Sequence, residues 1–357
     1  MYRLRFEESL KGTILKLLVS ALEPSANLHL EPILNALEQC EMYGIFDERF
    51  GKPLLPSKAF SIMGFLDALP KIRKAKKAIK TMARMSFFVD KVLLIDSPAF
   101  NIPLAKAIKT INPNVEIIYY ILPQVWAWKP KRVAVVEKYC DVLASILPFE
   151  QNFYTKATYV GHPLLDEIPL FKLRADETGV IAFLPGSRKS EIRSLFPIYK
   201  EVASKIEGKE KLLVIPPHFS YREIAEIYGD IHDFKICRNT YEAFEKSEFA
   251  FVCSGTATLE AALVGVPFVL AYKAKAFDYW IAQQFVKLKH VGLANLLFDF
   301  EKMEPLHQEF LQEKVTVDNL LQAYETMDKE AFFNHAKKLR SLLGHGSQEA
   351  MISIMTV

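Results

Sequence analysis

The chain is poor in cysteine. Its four, Cys40, Cys140, Cys237 and Cys253, lie far apart and form no CxxC pair, which speaks against a disulfide framework and a structural zinc site and for a reducing compartment. Long apolar runs are missing too. Nowhere do about 18 consecutive apolar residues occur, so no helix is expected to span a bilayer. The N-terminal Arg3, Arg5 and Lys11 ahead of Ile14–Leu22 resemble a secretory signal, but Lys16 interrupts the run and no small-x-small site precedes Glu23, so the segment reads as a buried strand. Charge of one sign is scarce: the net charge is +3, and nothing global argues for nucleic acid.

What is present is apolar and aromatic. Half of the 357 residues are hydrophobic, with 26 Phe and 14 Tyr and a mean hydropathy of +0.09, more apolar surface than a cytosolic enzyme needs. The length suits two domains, each with its own core. Apolar strands alternate with helical stretches throughout, implying parallel pairing through crossovers and an α/β class.

The most informative stretch is Phe251-Val-Cys-Ser-Gly-Thr-Ala-Thr-Leu-Glu260, where a strand runs through Ser254, Gly255 and Thr256 into a helix. Ser254 or Thr256 can cap that helix, Gly255 admits a ligand to the backbone, and first-turn N–H groups favour phosphate. Glu260, one turn in, could accept hydrogen bonds from ribose hydroxyls. An ordinary capped strand–helix unit has the same pattern. A second turn, Pro185-Gly-Ser-Arg-Lys-Ser-Glu191, places Gly186 and Ser187 to face phosphate and adds the Arg188 fork.

In the first half, the strand Lys16–Leu22 is expected to end in a loop, residues 23–29, that carries Glu23 and His29. His29 reads as a base, a ligand, a cap or a core contact. The strand Lys91–Ile95 delivers Asp96, a general-base candidate whose alternative duty is a turn cap. Between them, residues 59–90 join Phe65 to a cationic helix with Lys71, Arg73, Lys74, Lys76, Lys77, Lys80 and Arg84. This is either a solvated face or a surface for an anionic membrane. Trp126 and Trp128, beside three cations, could stack on a sugar or sit at a lipid interface. Residues 273–297 form a second aromatic-basic stretch ending in Leu293-Ala-Asn295, and the tail from Lys314 reads as helical.

Taken together, Met63-Gly-Phe65, Ile95-Asp-Ser-Pro-Ala-Phe-Asn101, Pro123-Gln-Val-Trp-Ala-Trp-Lys-Pro-Lys-Arg132, Leu147-Pro-Phe-Glu150, Val160-Gly-His-Pro163, Leu184-Pro-Gly-Ser-Arg-Lys-Ser-Glu-Ile192, Ser254-Gly-Thr-Ala-Thr-Leu-Glu260 and Leu293-Ala-Asn295 resemble the lipid-A-disaccharide synthase family over about residues 16–325. The resemblance implies a GT-B architecture of two Rossmann-like domains with parallel sheets facing a central cleft. Residues 1–165 would form the acceptor- and membrane-facing domain and 166–335 the UDP-sugar domain, with a helix in 336–357 packing back on the first.

The implied reaction is inverting. It joins UDP-2,3-diacylglucosamine to 2,3-diacylglucosamine 1-phosphate, giving a β-1,6-linked disaccharide 1-phosphate and UDP. On this resemblance Asp96 is the catalytic carboxylate with Glu23 in reserve, and Arg188 stabilises the leaving diphosphate. Gly186, Ser187, Ser254, Gly255, Thr256, Glu260 and Asn295 bind nucleotide or substrate, while Phe65, Lys71, Lys74, Trp126 and Trp128 meet membrane or acyl chains. No DxD-like pair stands in a strand-end loop, so no metal and no cofactor are expected; Asp299-Phe-Glu301 reads as a surface turn.

The implied place is cytoplasmic, peripheral on the inner leaflet of the inner membrane, with a homodimer left open. Two departures from the family pattern stand out: Glu23-Pro-Ser-Ala-Asn27 lacks the usual glycine and carboxylate, and Ala99 replaces a second acid. They keep open a UDP-sugar-binding protein without catalysis, beside a related GT-B transferase for another lipid-linked amino sugar or a UDP-sugar 2-epimerase.

Overall fold

The structure, a computed structural model, describes residues 14–37, 39–57, 68–127, 129–174, 177–273 and 289–356, with backbone alone for 68–71. Phe65 and Trp128 therefore lie outside the described residues, as do the Lys71 side chain and positions 274–288 of the second aromatic-basic stretch. Contacts divide the chain into two units, Met1–Pro163 with His345–Val357, and Leu164–Gly344.

The first unit is built on a parallel sheet in the order β3-β2-β1-β4-β5-β6-β7. Its strands are β1 (Leu15–Ser20), β2 (Cys40–Phe46), β3 (Leu55–Pro56), β4 (Lys91–Ile95), β5 (Glu116–Tyr120), β6 (Val142–Ser145) and β7 (Ala157–Tyr159). The helices described between them are α1 (Pro24–Ala36), α2 (Ala68–Met85), α3 (Pro98–Ile111) and α4 (Arg132–Tyr139). Alternation along β1 sends Leu18 to one face, with Met82 of α2 and Leu104 of α3, and Leu17 and Val19 to the other, with Leu30 and Ile33 of α1. Glycine inside β2 has a cause: a Cβ at Gly44 would lie 2.2 Å from the Val19 carbonyl oxygen.

The loop expected over residues 23–29 does not form. Glu23 is already the N-cap of α1, and Pro24 stands at its first position, where proline's fixed φ and missing N–H suit a helix start. Asn27 is consequently buried in the first turn. Its Nδ2 donates to the carbonyls of Ala21 (2.9 Å) and Glu23 (2.8 Å), and its Oδ1 accepts from the Asp47 N–H at 2.8 Å. A carboxylate here could not donate those two bonds.

The second unit repeats the plan with the order β10-β9-β8-β11-β12-β13. Its strands are β8 (Val180–Leu184), β9 (Glu210–Val214), β10 (Lys235–Cys237), β11 (Phe249–Cys253), β12 (Phe268–Tyr272) and β13 (Glu309–Leu311). Its helices run from α5 (Pro163–Glu167) at the junction through α6 (Lys189–Lys205), α7 (Tyr221–Tyr228), α8 (Thr240–Lys246), α9 (Thr256–Val264), α10 (Leu293–Phe300) and α11 (Val317–Glu325) to α12 (Lys329–Leu343). Phe183 and Phe251, side by side on β8 and β11, stack at 5.1 Å beneath α6. The last helix, α13 (Ser347–Thr356), returns to the first unit: Ser347 Oγ lies 2.9 Å from Tyr120 Oη, and Lys91 Nζ donates to Ile354 O at 3.0 Å.

Candidate active site

Each sheet reverses its strand order once. In the first the reversal falls between β1 and β4, in the second between β8 and β11. At such a point the connections leave toward opposite faces and open a crevice beyond the carboxyl ends of the strands, where ligands of parallel sheets bind.

At the first reversal stand Glu23, exposed at the N-cap of α1, and Asp96, directly after β4. Asp96 and Ser97 both hold left-handed backbone, φ 50° and 43°, a conformation costly for two successive non-glycine residues and maintained only by its surroundings. Those surroundings are specific. Asn101 Nδ2 donates to the carbonyls of Ile95 (3.1 Å) and Asp96 (2.7 Å), Ser20 Oγ donates to Asn101 Oδ1 at 2.6 Å, and Tyr119 Oη donates to Asp96 O at 2.8 Å. The end of β1 thus locks the end of β4. Burial raises the Asp96 pKa, against the Ser97 backbone hydrogen bond and the charge of His29, which lower it. A desolvated carboxylate on a rigid strand end is suited to take a proton.

Farther along the same edge, Glu150 is buried and its carboxyl is pushed up to about 7 by burial, opposed by bonds from Ser145 and Trp126. Ser145 Oγ donates to Glu150 Oε2 at 2.6 Å, and Trp126 Nε1 donates to Oε1 at 3.2 Å. Trp126 is half-buried, edge-on to Phe149 at 5.3 Å, so its polar edge faces inward. Lys74 is exposed on α2.

At the second reversal, the β8 turn brings Gly186, Ser187 and Arg188 beside Ser254, Gly255 and Thr256 at the end of β11, since Leu184 pairs with Val252. The cap of α9 is Gly255, with no side-chain bond, rather than Ser254 or Thr256; Thr258 Oγ1 instead donates to Gly255 O at 2.8 Å. This leaves Gly255 and Thr256 exposed, with nothing within 4 Å of a Cβ built on Gly255. Arg188 is 77% exposed and donates Nη1 to Glu191 Oε1 at 2.8 Å. The other Glu191 oxygen accepts from the backbone of Ser187 (3.3 Å) and Arg188 (3.2 Å). Glu191 is a buried anchor that the sequence reading passed over, although its position three residues into the helix is a cap signal. Gly186 has φ 112°, and a Cβ there would meet Glu191 Oε2 at 2.7 Å.

Glu260 lies in the second turn of α9, its carboxyl pushed up to about 7 by burial and then by the charge of Glu167. Asn295 is fully buried on α10. Its Nδ2 donates to His307 O (2.9 Å) and Glu309 Oε1 (2.8 Å), and its Oδ1 accepts from the N–H groups of Leu306 (2.8 Å) and His307 (3.3 Å). It holds the segment entering β13 and the Gly292 loop, whose N–H also reaches Glu309. Asp299 is in α10, accepting from His290 Nδ1 at 2.8 Å, not in a surface turn.

The model of a family described as lipid-A-disaccharide synthetase matches residues 17–351. The lipid-A-disaccharide synthase of Campylobacter jejuni is 53% identical over 360 residues, covering 95% of this chain and 98% of that one. Its counterpart in Helicobacter pylori is 47% identical over 355 residues, covering 95% and 97%. Among solved structures, the kitacinnamycin glycosyltransferase aligns with a TM-score of 0.60 at 15% identity over 96% of this chain and 98% of that one. The UDP-GlcNAc 2-epimerase of Methanocaldococcus jannaschii, solved with UDP-GlcNAc and UDP, aligns at 0.58 and 13% over 96% and 99%. At these identities the likeness is one of fold, the GT-B class of two parallel-sheet units.

Proposed function

The chain belongs to the lipid-A-disaccharide synthase family, and on that footing we propose how its residues divide the reaction. The enzyme is an inverting glycosyltransferase that moves 2,3-diacylglucosamine from UDP-2,3-diacylglucosamine to 2,3-diacylglucosamine 1-phosphate, releasing UDP and the β-1,6-linked disaccharide 1-phosphate. The observation that carries the division is the coincidence of Asp96 and of the Gly186 and Gly255 turns with the two strand-order reversals.

Asp96 takes the proton of the acceptor hydroxyl as that oxygen bonds the anomeric carbon. The anomeric bond to the diphosphate breaks, and its electron pair leaves on UDP. Arg188 and the first-turn N–H groups of α9 at Thr256 balance the charge gained by the diphosphate. Ser187, Ser254 and Gly255 line the diphosphate, and Glu260 holds the ribose. Asn295 serves by position, fixing the Gly292 loop, and Glu23 is the exposed carboxylate of the acceptor side.

Both substrates carry acyl chains, which ties the reaction to a lipid surface. No described helix is long and apolar enough to cross a membrane. The α2 helix exposes Arg73, Lys74, Lys76, Lys77, Lys80 and Arg84, and no acidic residue occurs between Asp67 and Asp90. Phe87 and Phe88, 59% and 74% exposed, follow directly. Such a surface suits peripheral docking on anionic headgroups of the inner leaflet.

The test is UDP release from UDP-2,3-diacylglucosamine in detergent micelles, with and without the acceptor. Acceptor-dependent UDP with a disaccharide product is expected. UDP binding without turnover would replace the reading with a non-catalytic binding protein.

A further inference from the structure

The segment that leaves β5, residues 121–127, begins beside the base. Asp96 N–H donates to Tyr120 O at 3.0 Å and Tyr119 Oη donates to Asp96 O at 2.8 Å, so the backbone of Asp96 is bonded on both sides to the end of β5. The next residue, Ile121, holds φ 62°, an outlier for a β-branched side chain that persists only where its surroundings impose it.

Those surroundings come from the end of β6 and the short 3₁₀ turn behind it, Pro148–Asn152. Ile121 N–H donates to Ala144 O at 3.2 Å, Tyr154 Oη donates to Pro123 O at 2.9 Å, and Trp126 Nε1 donates to Glu150 Oε1 at 3.2 Å. Leu122, Pro123 and Val125 are buried between these fastenings. Glu150, 1% exposed, holds the far end of the segment, with Phe149 packed against the same indole.

We propose that Glu150 is a positioning residue for Asp96: by holding the Trp126 indole it fixes residues 121–127 and, through Tyr120, the backbone of the base. The inference rests on the reading of Asp96 as the base.

The hydrogen bonds around Glu150 identify the form that does this. Ser145 Oγ lies 2.6 Å from Glu150 Oε2 and 2.8 Å from Leu147 O, and it has one proton for two acceptors. With Glu150 ionised, the hydroxyl serves the carboxylate and its contact with Leu147 O holds no proton. With Glu150 protonated, Oε2 donates to Ser145 Oγ, the hydroxyl donates to Leu147 O, and Oε1 still accepts from Trp126. The neutral acid therefore completes the cluster, and burial favours the same form by pushing the carboxyl up to about 7. Because the closed cluster binds that proton more tightly than a carboxyl open to water does, loss of the proton favours opening.

Other ionisable groups of the neighbouring elements do not share the duty. Tyr154 follows the 3₁₀ turn, Tyr159 lies on β7 and Cys140 caps α4; burial pushes all three upward, Cys140 to about 12, and they are neutral. His162, after β7, is pushed down to about 3 by burial and is neutral as well. Arg132 and Glu137 of α4 act on Tyr154, and Glu137 Oε1 accepts from Thr155 Oγ1 at 2.9 Å. Lys129 and Lys131, beyond the segment, are exposed. What acts on Glu150 is burial, then Ser145, Trp126 and the Leu147 backbone.

The chemical step is unchanged. The acceptor proton goes to Asp96, the oxygen bonds the anomeric carbon, and the electron pair of the broken bond leaves with UDP. Glu150 touches no reacting atom.

The experiment measures kcat, and KM for the acceptor, across pH in micelles for the full chain, Glu150→Gln, Glu150→Ala and Asp96→Asn, with thermal melts as the check on folding. Glutamine is a neutral group that donates to Ser145 and accepts from Trp126, so Glu150→Gln is expected to hold the wild-type kcat at acid pH. Glu150→Ala, with the indole N–H released, is expected to lose kcat by roughly 10–100-fold at an unchanged KM. In the wild type kcat is expected to fall as pH rises through about 7, and Glu150→Gln to remove that fall. A folded Glu150→Ala enzyme with wild-type kcat overturns the proposal, as does a loss confined to KM, a glutamine variant as slow as the alanine one, or the same pH profile for Glu150→Gln and the wild type. If Glu150→Ala does not fold, Trp126→Phe, which keeps an aromatic ring and removes the N–H, is read in its place.

Asp96→Asn separates the two readings. If it keeps turnover, the base assignment falls and this inference with it. If it loses turnover while Glu150→Ala keeps the wild-type kcat, this inference alone falls.

Discussion

The side-chain amide of Asn101 lies 2.7 Å from the carbonyl oxygen of Asp96, and this contact holds the left-handed turn that aims the carboxylate. Replacing Asn101 with Ala takes the side-chain donor from the Ile95 carbonyl and the acceptor from the Ser20 hydroxyl and leaves the Asp96 carbonyl to Tyr119 alone, at a cost of about 1–3 kcal/mol. The Asp96 turn is then free to relax toward ordinary backbone, and a small displacement of a catalytic group lowers rates by roughly 10–100-fold. The expected result is a large fall in kcat with an unchanged Kd for UDP, measured by turnover and by calorimetry on the same preparation.

Asp96 carries a stability cost with a definite sign. Burial raises its folded pKa, so the folded form binds the proton more tightly than the unfolded chain does. Its contribution is present below the carboxyl's unfolded pKa and is lost as pH rises through the raised folded value. At neutral pH the wild type therefore holds a desolvated charge that Asp96→Asn does not. The variant is expected to melt at or above the wild-type temperature near pH 7.5 while losing turnover, and the gain should vanish near pH 4. A lower Tm at pH 7.5 contradicts the assignment of burial as the main cause.

Glu150 and Trp126 supply an optical reporter. The carboxyl titrates at about 7, and the Trp126 indole N–H is bonded to it. Tryptophan emission is expected to change with a midpoint close to that pH, and Glu150→Gln should abolish the transition. The same shift makes Glu150 stabilising at acid pH and progressively less so as pH rises through 7, so the Gln variant should flatten the fall of Tm between about pH 5 and 8.

For the cationic helix, the readout is binding to phosphatidylglycerol vesicles by sedimentation. Reversing Lys76, Lys77 and Lys80 to Glu should weaken binding by on the order of a hundredfold or more, at roughly 1 kcal/mol for each basic residue near an anionic surface. The loss should shrink at high salt, and neutral vesicles should show little of it. Phe87→Ser with Phe88→Ser should cut the part of binding that salt does not screen. Unchanged binding in both variants would leave α2 as a solvated face.

The sequence carried the strands and the residues at their ends, because an apolar run followed by Asp96 or by Ser254, Gly255 and Thr256 is a local pattern. It did not reveal what holds those residues. Asn101 meets Ser20 across 81 positions, and Asn27 meets Asp47 across 20, so neither partner is visible in a window of a dozen residues. β2 is not legible as a strand because Glu41 and Gly44 break its alternation, and Gly44 is required only once β1 lies against it. Pro24 hides the start of α1, since in a polar stretch it reads as loop, although proline is at home in a first helical turn. For the cap of α9, the choice between Ser254, Gly255 and Thr256 depends on backbone angles that composition does not carry.

The first unit is closed by the last helix. Ser347 meets Tyr120, Lys91 reaches the carbonyl of Ile354, and Gln348 Nε2 donates to Pro32 O at 3.0 Å. During synthesis the second unit therefore has its whole sequence outside the ribosome before the first can acquire α13. The segment that carries Asp96 therefore leaves the ribosome well before Met351 and Met355, which cover one face of its sheet, and the sequence of the whole second unit comes between them.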